Sequence, residues 1–160
     1  MSLKKISCKS LELKIVPPLQ LIIAGLLMLL IANILPYCNV NLAYKNITAT
    51  LLGFIAVSLS IFAIVHFKRH KTTIHPHQPE KTSTIVNTGI YARSRNPMYL
   101  ALILILLAFA IFLANIATLI IIPCFIAYIT QFQIKPEERI LTQLFGQEYL
   151  TYTQKVRRWL

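Results

Sequence analysis

Four long apolar runs, at about residues 17–36, 47–67, 98–114 and 116–134, constrain this 160-residue chain more than any other feature. A helix needs about 20 mostly apolar residues to cross a hydrocarbon core of about 30 Å. Each run is close to that length. The expected fold is therefore all-α, an integral membrane bundle of four transmembrane helices forming one domain. The chain is 56% hydrophobic, above the about 45–50% of soluble domains, and the excess must face something other than water. The third and fourth runs are nearly continuous, with Asn115 as the polar break. Unbroken, they would span far more than one bilayer, which predicts a tight helical hairpin at Ala114-Asn115.

Charge sets the orientation. Sixteen Lys and Arg face five Glu and no Asp, giving +11. Such a balance suits nucleic acid or anionic lipid. Here the charges flank apolar runs, so the expected partner is a lipid bilayer and not nucleic acid. Four basic residues precede the first run, six lie between the second and third, and five follow the fourth; Lys45 is the exception. Positive residues stay in the cytoplasm. Both termini, the 68–97 loop and the 135–160 tail are thus expected on that side, with a bacterial inner membrane favoured over an organelle membrane. Cys8, Cys38 and Cys124 fit neither a disulfide framework nor a zinc ribbon. His66 and His70 share a helix face at i, i+4, but the chain lacks the further His and carboxylates of a di-iron site, and no metal is expected.

The 68–97 loop is longer than the about 2–8 residues that join packed helices. It ends in Arg93-Ser94-Arg95-Asn96-Pro97-Met98-Tyr99. Asn as N-cap followed by Pro predicts a helix start at Asn96-Pro97. Free N–H groups and the positive dipole end there suit an anion, with Arg93 and Arg95 in support. A capped helix with its Arg residues on lipid phosphates fits the same pattern. In the tail, Lys135-Pro136-Glu137-Glu138 predicts a new amphipathic helix, its carboxylates at the dipole's positive end. The paired Glu either only complement that dipole or accept bonds from ligand hydroxyls or an ammonium. Gly146 ends or bends that helix, Gln147 to Lys155 forms another, and Val156 to Leu160 reads as an interfacial anchor. Residues 83–99 and 135–152 are expected to form one cup at the inner leaflet.

These residues resemble the isoprenylcysteine carboxyl methyltransferase and phospholipid methyltransferase group of integral membrane enzymes. The resemblance rests on Thr84-Ile85-Val86-Asn87-Thr88-Gly89-Ile90-Tyr91, Arg95-Asn96-Pro97-Met98-Tyr99, Glu137-Glu138-x-x-Leu141, Phe145-Gly146-x-Glu148-Tyr149-x-x-Tyr152 and Val156-x-Arg158-Trp159, in that order. It implies binding of S-adenosyl-L-methionine at the cytosolic face and methylation of a lipophilic acceptor, either a prenylcysteine-like carboxylate or a phospholipid amine. It implies cofactor contacts from His75, Ser83, Thr84, Ile85, Val86, Gly89, Tyr91, Asn96, Pro97, Met98, Tyr99 and Glu137, with Arg95 and Glu138 as catalytic residues. Asn96 stands where many members have His, and so cannot titrate near neutral pH. Gln133 stands where eukaryotic enzymes carry an Arg that holds the acceptor.

Two other readings compete. Membrane sterol and steroid reductases share a similar Gly–Tyr–Tyr tail but use NADPH. A non-enzymatic lipid-binding protein would use the loop and tail as basic lipid-contacting segments.

Overall fold

The computed structural model describes residues 12–69 and 84–160, with backbone alone at 67–69. Its helices are α1 (Pro17–Ile34), α2 (Lys45–Arg69), α3 (Pro97–Leu113), α4 (Ile121–Ile129), α5 (Lys135–Phe145) and α6 (Gln147–Lys155). No strand occurs among the described residues; Asn39 and Asn115 form an isolated antiparallel bridge. Pro17 and Pro97 stand at the first positions of α1 and α3, where a missing N–H costs nothing and the fixed φ suits a helix.

α3 is the centre of the bundle, packing against α1, α2 and α4. α2 buries Ala49, Ala56 and Ala63, each seven residues from the next, and α3 buries Ala101 and Ala108 at the same spacing. Small side chains repeated on one face let two backbones approach closely. On its other side, α3 sets Tyr99, Leu106 and Ala110 against Ala24 and Met28 of α1 and against Phe125, Ile129 and Ile134. Outward faces are apolar as well. Leu19, Ile22, Leu26 and Leu30 of α1, and Leu51, Phe54, Phe62 and Val65 of α2, are exposed, the pattern of a surface solvated by lipid.

Among the described residues, three helices are long and apolar enough to cross a membrane: Pro17–Ile34, Lys45–His66 and the composite Ile116–Phe145. α3 is apolar throughout but has 17 residues, about 25 Å of rise against a core of about 30 Å. Of the four spans expected from the sequence, three therefore meet the length requirement and the central one falls short of it.

The expected hairpin at Ala114-Asn115 forms. Ala114 adopts a left-handed conformation, and Asn115 becomes a polar hub. Its amide nitrogen donates to the Leu35 carbonyl and to Asn39 Oδ1, both at 2.8 Å, while its Oδ1 accepts from Ala117 N at 3.0 Å. Val40 N donates to Ala114 O at 2.8 Å. The α1–α2 and α3–α4 connections are thus tied together at one end of the bundle.

At the other end the fourth run departs from expectation. No new helix begins at Pro136. Instead α4 continues through a π turn at Thr130–Ile134 into α5. Lys135 N bonds to Thr130 O, five residues back. Proline carries no N–H and its ring crowds the carbonyl four residues before it; a widened turn relieves that crowding. The carbonyl that Pro136 leaves without its usual i+4 donor is Phe132 O, and Leu13 N fills the place at 3.0 Å. Arg139 pairs with Glu12 at 3.2 Å beside it.

Asn115→Ala would leave the Leu35 carbonyl and Asn39 side chain without their donor. It is expected to lower stability by about 2 kcal/mol, read as a lower unfolding midpoint in detergent micelles, while Asn33→Ala on the exposed face of α1 leaves the midpoint unchanged.

Candidate active site at the starts of α3 and α5

Ser94, Arg95 and Asn96 precede α3, and the last residues of the chain fold back across them. Arg95 N donates to Arg157 O at 3.0 Å. Asn96 Nδ2 donates to Arg158 O at 3.0 Å, and Ser94 Oγ, buried, to the same carbonyl at 3.4 Å. This corrects one expectation. Asn96 occupies the N-cap position, but its side chain makes no cap bond to α3; its amide nitrogen serves the tail's carbonyl. Val156 to Leu160 is likewise more than a surface anchor. Val156 is buried with Tyr149 and Tyr152, and Trp159 packs against the cluster of Tyr99 and Leu106.

Glu137 and Glu138 open α5, and neighbouring positions send them different ways. Glu138 accepts from Arg158 Nη2 at 2.7 Å and Nε at 3.1 Å. Arg95 Nη1 lies 3.2 Å from the same carboxylate. One Glu therefore joins the α3 start to the tail through two guanidiniums, and that bidentate contact also raises Arg158 above its ordinary value. Glu137 points into the bundle. Its Oε1 accepts from the Tyr99 hydroxyl at 2.5 Å and from Gln133 Nε2 at 2.9 Å. Both bonds fall on the same oxygen.

A second layer packs the 84–92 segment onto these elements. Val86 and Tyr91 are buried against Ala63 of α2, with Met98 beside them. Ile85 lies on Tyr149, Tyr152 and Val156, while Thr84 is exposed. Tyr152 OH donates to Tyr91 O at 2.7 Å. His66 Nε2 is hydrogen bonded to Thr88 Oγ1 at 3.0 Å, and its ring stacks on Tyr91 with centroids 6.3 Å apart. Gly89 has φ +60°, where a side chain is strained, and a Cβ there would lie 2.7 Å from the His66 ring, which would have to shift. Burial raises the hydroxyls of Tyr91 and Tyr152 and pushes Tyr149 up to about 12.

The expected site residues therefore converge. Arg95, Asn96 and Tyr99 meet Glu137 and Glu138 directly or through the tail, although about forty positions separate the two groups, and Pro97, between Asn96 and Tyr99 in sequence, is buried at the first position of α3. Val86, Gly89, Tyr91 and Met98 form the adjoining wall toward α2. His75 and Ser83, and with them His70 and His77, lie outside the described residues. Three contributors went unassigned in the sequence. Arg158 stood in the Val156-x-Arg158-Trp159 motif and in the expected anchor, without a role of its own. Gln133 is one turn before Glu137 on the same helix face, a spacing that signals contact. His66 is a lone polar ring at the end of an apolar helix.

The sequence model of phospholipid methyltransferases matches residues 44–148, from the start of α2 into α6 and across both converging groups. The chain belongs to the phospholipid methyltransferase family. Membership implies methyltransferase activity in a membrane setting. The match also takes in α2, which in sequence shared only hydrophobicity with such enzymes. A protein of Haemophilus influenzae (strain ATCC 51907 / DSM 11121 / KW20 / Rd) described as uncharacterized is 52% identical over 63 residues, which is 39% of this chain and 100% of that protein. No solved structure matches the chain.

Arg158→Ala should release the tail from Glu138. The ion pair is partly exposed, so the expected loss is about 1–2 kcal/mol, with limited proteolysis cutting after α6 sooner than in the unaltered chain. Alkali should act on the same region. The folded tyrosines resist ionisation, whereas unfolded ones titrate near 10.0. Stability is therefore full below pH 10 and falls as pH rises from 10 toward 12, measurable as tyrosinate absorbance appearing together with loss of tertiary signal.

Proposed function

We propose that this chain transfers a methyl group from S-adenosyl-L-methionine to a lipophilic acceptor at the cytosolic face of a membrane. The observation that carries the reading is the junction of Tyr99, Gln133 and Glu137 beside the start of α3, with Arg95 held by Glu138. Its donor and acceptor set fits a zwitterionic nucleoside. Arg95 Nε is buried and has no partner among the described residues, and the first-turn amides of α3 have no carbonyl four residues back. Together they would take a carboxylate. Glu137 Oε2 would accept an ammonium or ribose hydroxyl. Ile85, Val86, Gly89 and Tyr91 would form the wall against the purine and the thioether arm.

Bound there, the sulfonium would supply an electrophilic methyl group and leave as a neutral thioether. The protein's task is then alignment and exclusion of water, which contribute about 7–11 kcal/mol when the reacting groups are held in line. Glu138 and Arg158 serve that task by fixing Arg95 and the tail. The acceptor would enter from the bilayer between apolar helices. We read α3 as a fourth span, with both termini cytoplasmic, because every described segment rich in Lys and Arg gathers at the end that carries Glu137.

S-adenosylmethionine is expected to raise the melting temperature of the purified protein in a concentration-dependent way; NADPH is not. A shift with NADPH alone would make the protein a reductase, and no shift with either would favour the lipid-binding reading. Glu137→Ala is expected to weaken S-adenosylmethionine binding at least about 100-fold in calorimetry while the protein still inserts and folds. Unchanged affinity would refute the site.

A further inference from the structure

The turn that carries Gly89 and Tyr91 has little to hold it from within. Gly89–Ala92 is a single 3₁₀ turn, a form whose poor hydrogen-bond geometry keeps it to short pieces. Its backbone bonds are Tyr91 N to Thr88 O, Arg93 N to Ile90 O and Ser94 N to Ile90 O, each at 3.1 Å. Thr88 stands at the N-cap position without capping the turn. Support comes from α2. His66, half-buried near the end of that helix, is hydrogen bonded through Nε2 to the Thr88 hydroxyl at 3.0 Å. The Nδ1–Cε1–Nε2 edge of the same ring lies over Gly89, and all three atoms fall within 3.1 Å of the place a Cβ would take. The ring also stacks on Tyr91, and Ala63, one turn earlier in α2, is buried against Tyr91 and Val86. From α6, Tyr152 OH donates to Tyr91 O at 2.7 Å. Tyr91 in turn senses the carboxylate. Its hydroxyl is raised by burial first, then by Tyr152 and then by the charge of Glu137.

We propose that His66 is a positioning residue for the methyl-donor site: by holding Thr88 and covering Gly89 it fixes the turn, and so aims the Tyr91 ring toward the Glu137 side. This rests on the methyl-transfer reading above. An imidazole suits the place because one flat ring supplies a polar atom for the hydroxyl, a thin edge for the bare Gly89 backbone and a face for Tyr91. The contact ties the wall of the site to α2, which the alanines at 49, 56 and 63 hold close to α3. The wall thus takes its place from the bundle.

The test uses the full chain in lipid nanodiscs, with His66→Ala, Thr88→Val, the double variant, and His66→Gln, whose amide group can stand where Nε2 stood. Two quantities are read: hydrogen exchange of backbone amides without ligand, and affinity for S-adenosylhomocysteine by calorimetry. In exchange, His66→Ala and Thr88→Val are expected to speed the amides of Tyr91, Arg93 and Ser94 about tenfold or more, while those of Leu102 to Ala110 in α3 do not change. In binding, each single variant is expected to weaken S-adenosylhomocysteine about tenfold, and the double variant no further than either one. His66→Gln stays within about threefold of the unaltered chain. No binding by the unaltered chain overturns the methyl-donor reading; faster exchange at the turn then still upholds the hold of His66 on it, and unchanged exchange overturns that too. Given binding, three outcomes overturn the proposal. One is unchanged affinity in His66→Ala. Another is additive loss in the double variant or no rescue by Gln, either of which reduces His66 to packing. The third is faster exchange throughout α3, which makes the loss a general unfolding.

Discussion

A carboxylate pointing into an apolar bundle must be held by hydrogen bonds, because the bare charge costs several kcal/mol to desolvate. Glu137 meets that demand with two donors, Tyr99 from α3 and Gln133 from the turn before it. This contact sets much of the rest. Tyr99 can reach Glu137 only if α3 starts level with α5, and that level is held by Arg95, Glu138 and Arg158. Tail and loop then have little freedom. The tail's carbonyls bond Arg95 and Asn96, and Tyr152 bonds the carbonyl of Tyr91. Each polar group brought inward has required another to follow it.

The two ends of the bundle use polarity differently. At the Asn115 end, the hub's amide and carbonyl groups have partners, and the result is a closed fastening between two connections. At the Glu137 end, Arg95 Nε and Gln133 Oε1 are buried without partners among the described residues. A polar cluster built only for stability would be closed at both ends, since unmet buried groups are costly. Between the ends runs the α2–α3 seam of alanines, which keeps the backbone of α2 near the central helix and so brings His66 over Gly89. The seam and the site are thus one construction.

Much of this was legible in the sequence, and for local reasons. The apolar runs mark the helices, Asn115 marks the hairpin, and Asn96-Pro97 marks the start of α3. The joining of the two distant motif groups was expected from the hairpin between them, and the family match agrees with the resemblance seen in those motifs. What escaped depended on partners brought by folding. Asn96 has the residue type of a helix cap, yet its side chain makes no cap bond, and its amide nitrogen donates to the carbonyl of Arg158 more than sixty positions away. Pro136 has the look of a helix beginning. That reading fails because a proline can also sit inside a continuous helix when a wide turn precedes it and another segment serves the carbonyl it orphans. Neither outcome has a signature in neighbouring residues.

The bond from Leu13 to the carbonyl of Phe132 has a mechanical meaning. The long helix that carries Gln133 and Glu137 is creased just before them, and a crease in a rod is a place where it can pivot. Leu13 pins the crease from outside, with Glu12 on Arg139 as a second peg. Glu12 and Leu13 are therefore a strut for the two side chains that hold the carboxylate site. Whatever pulls on that stretch, a fused protein or a bound partner, acts on the pivot and through it on the angle at which the carboxylate meets its ligand.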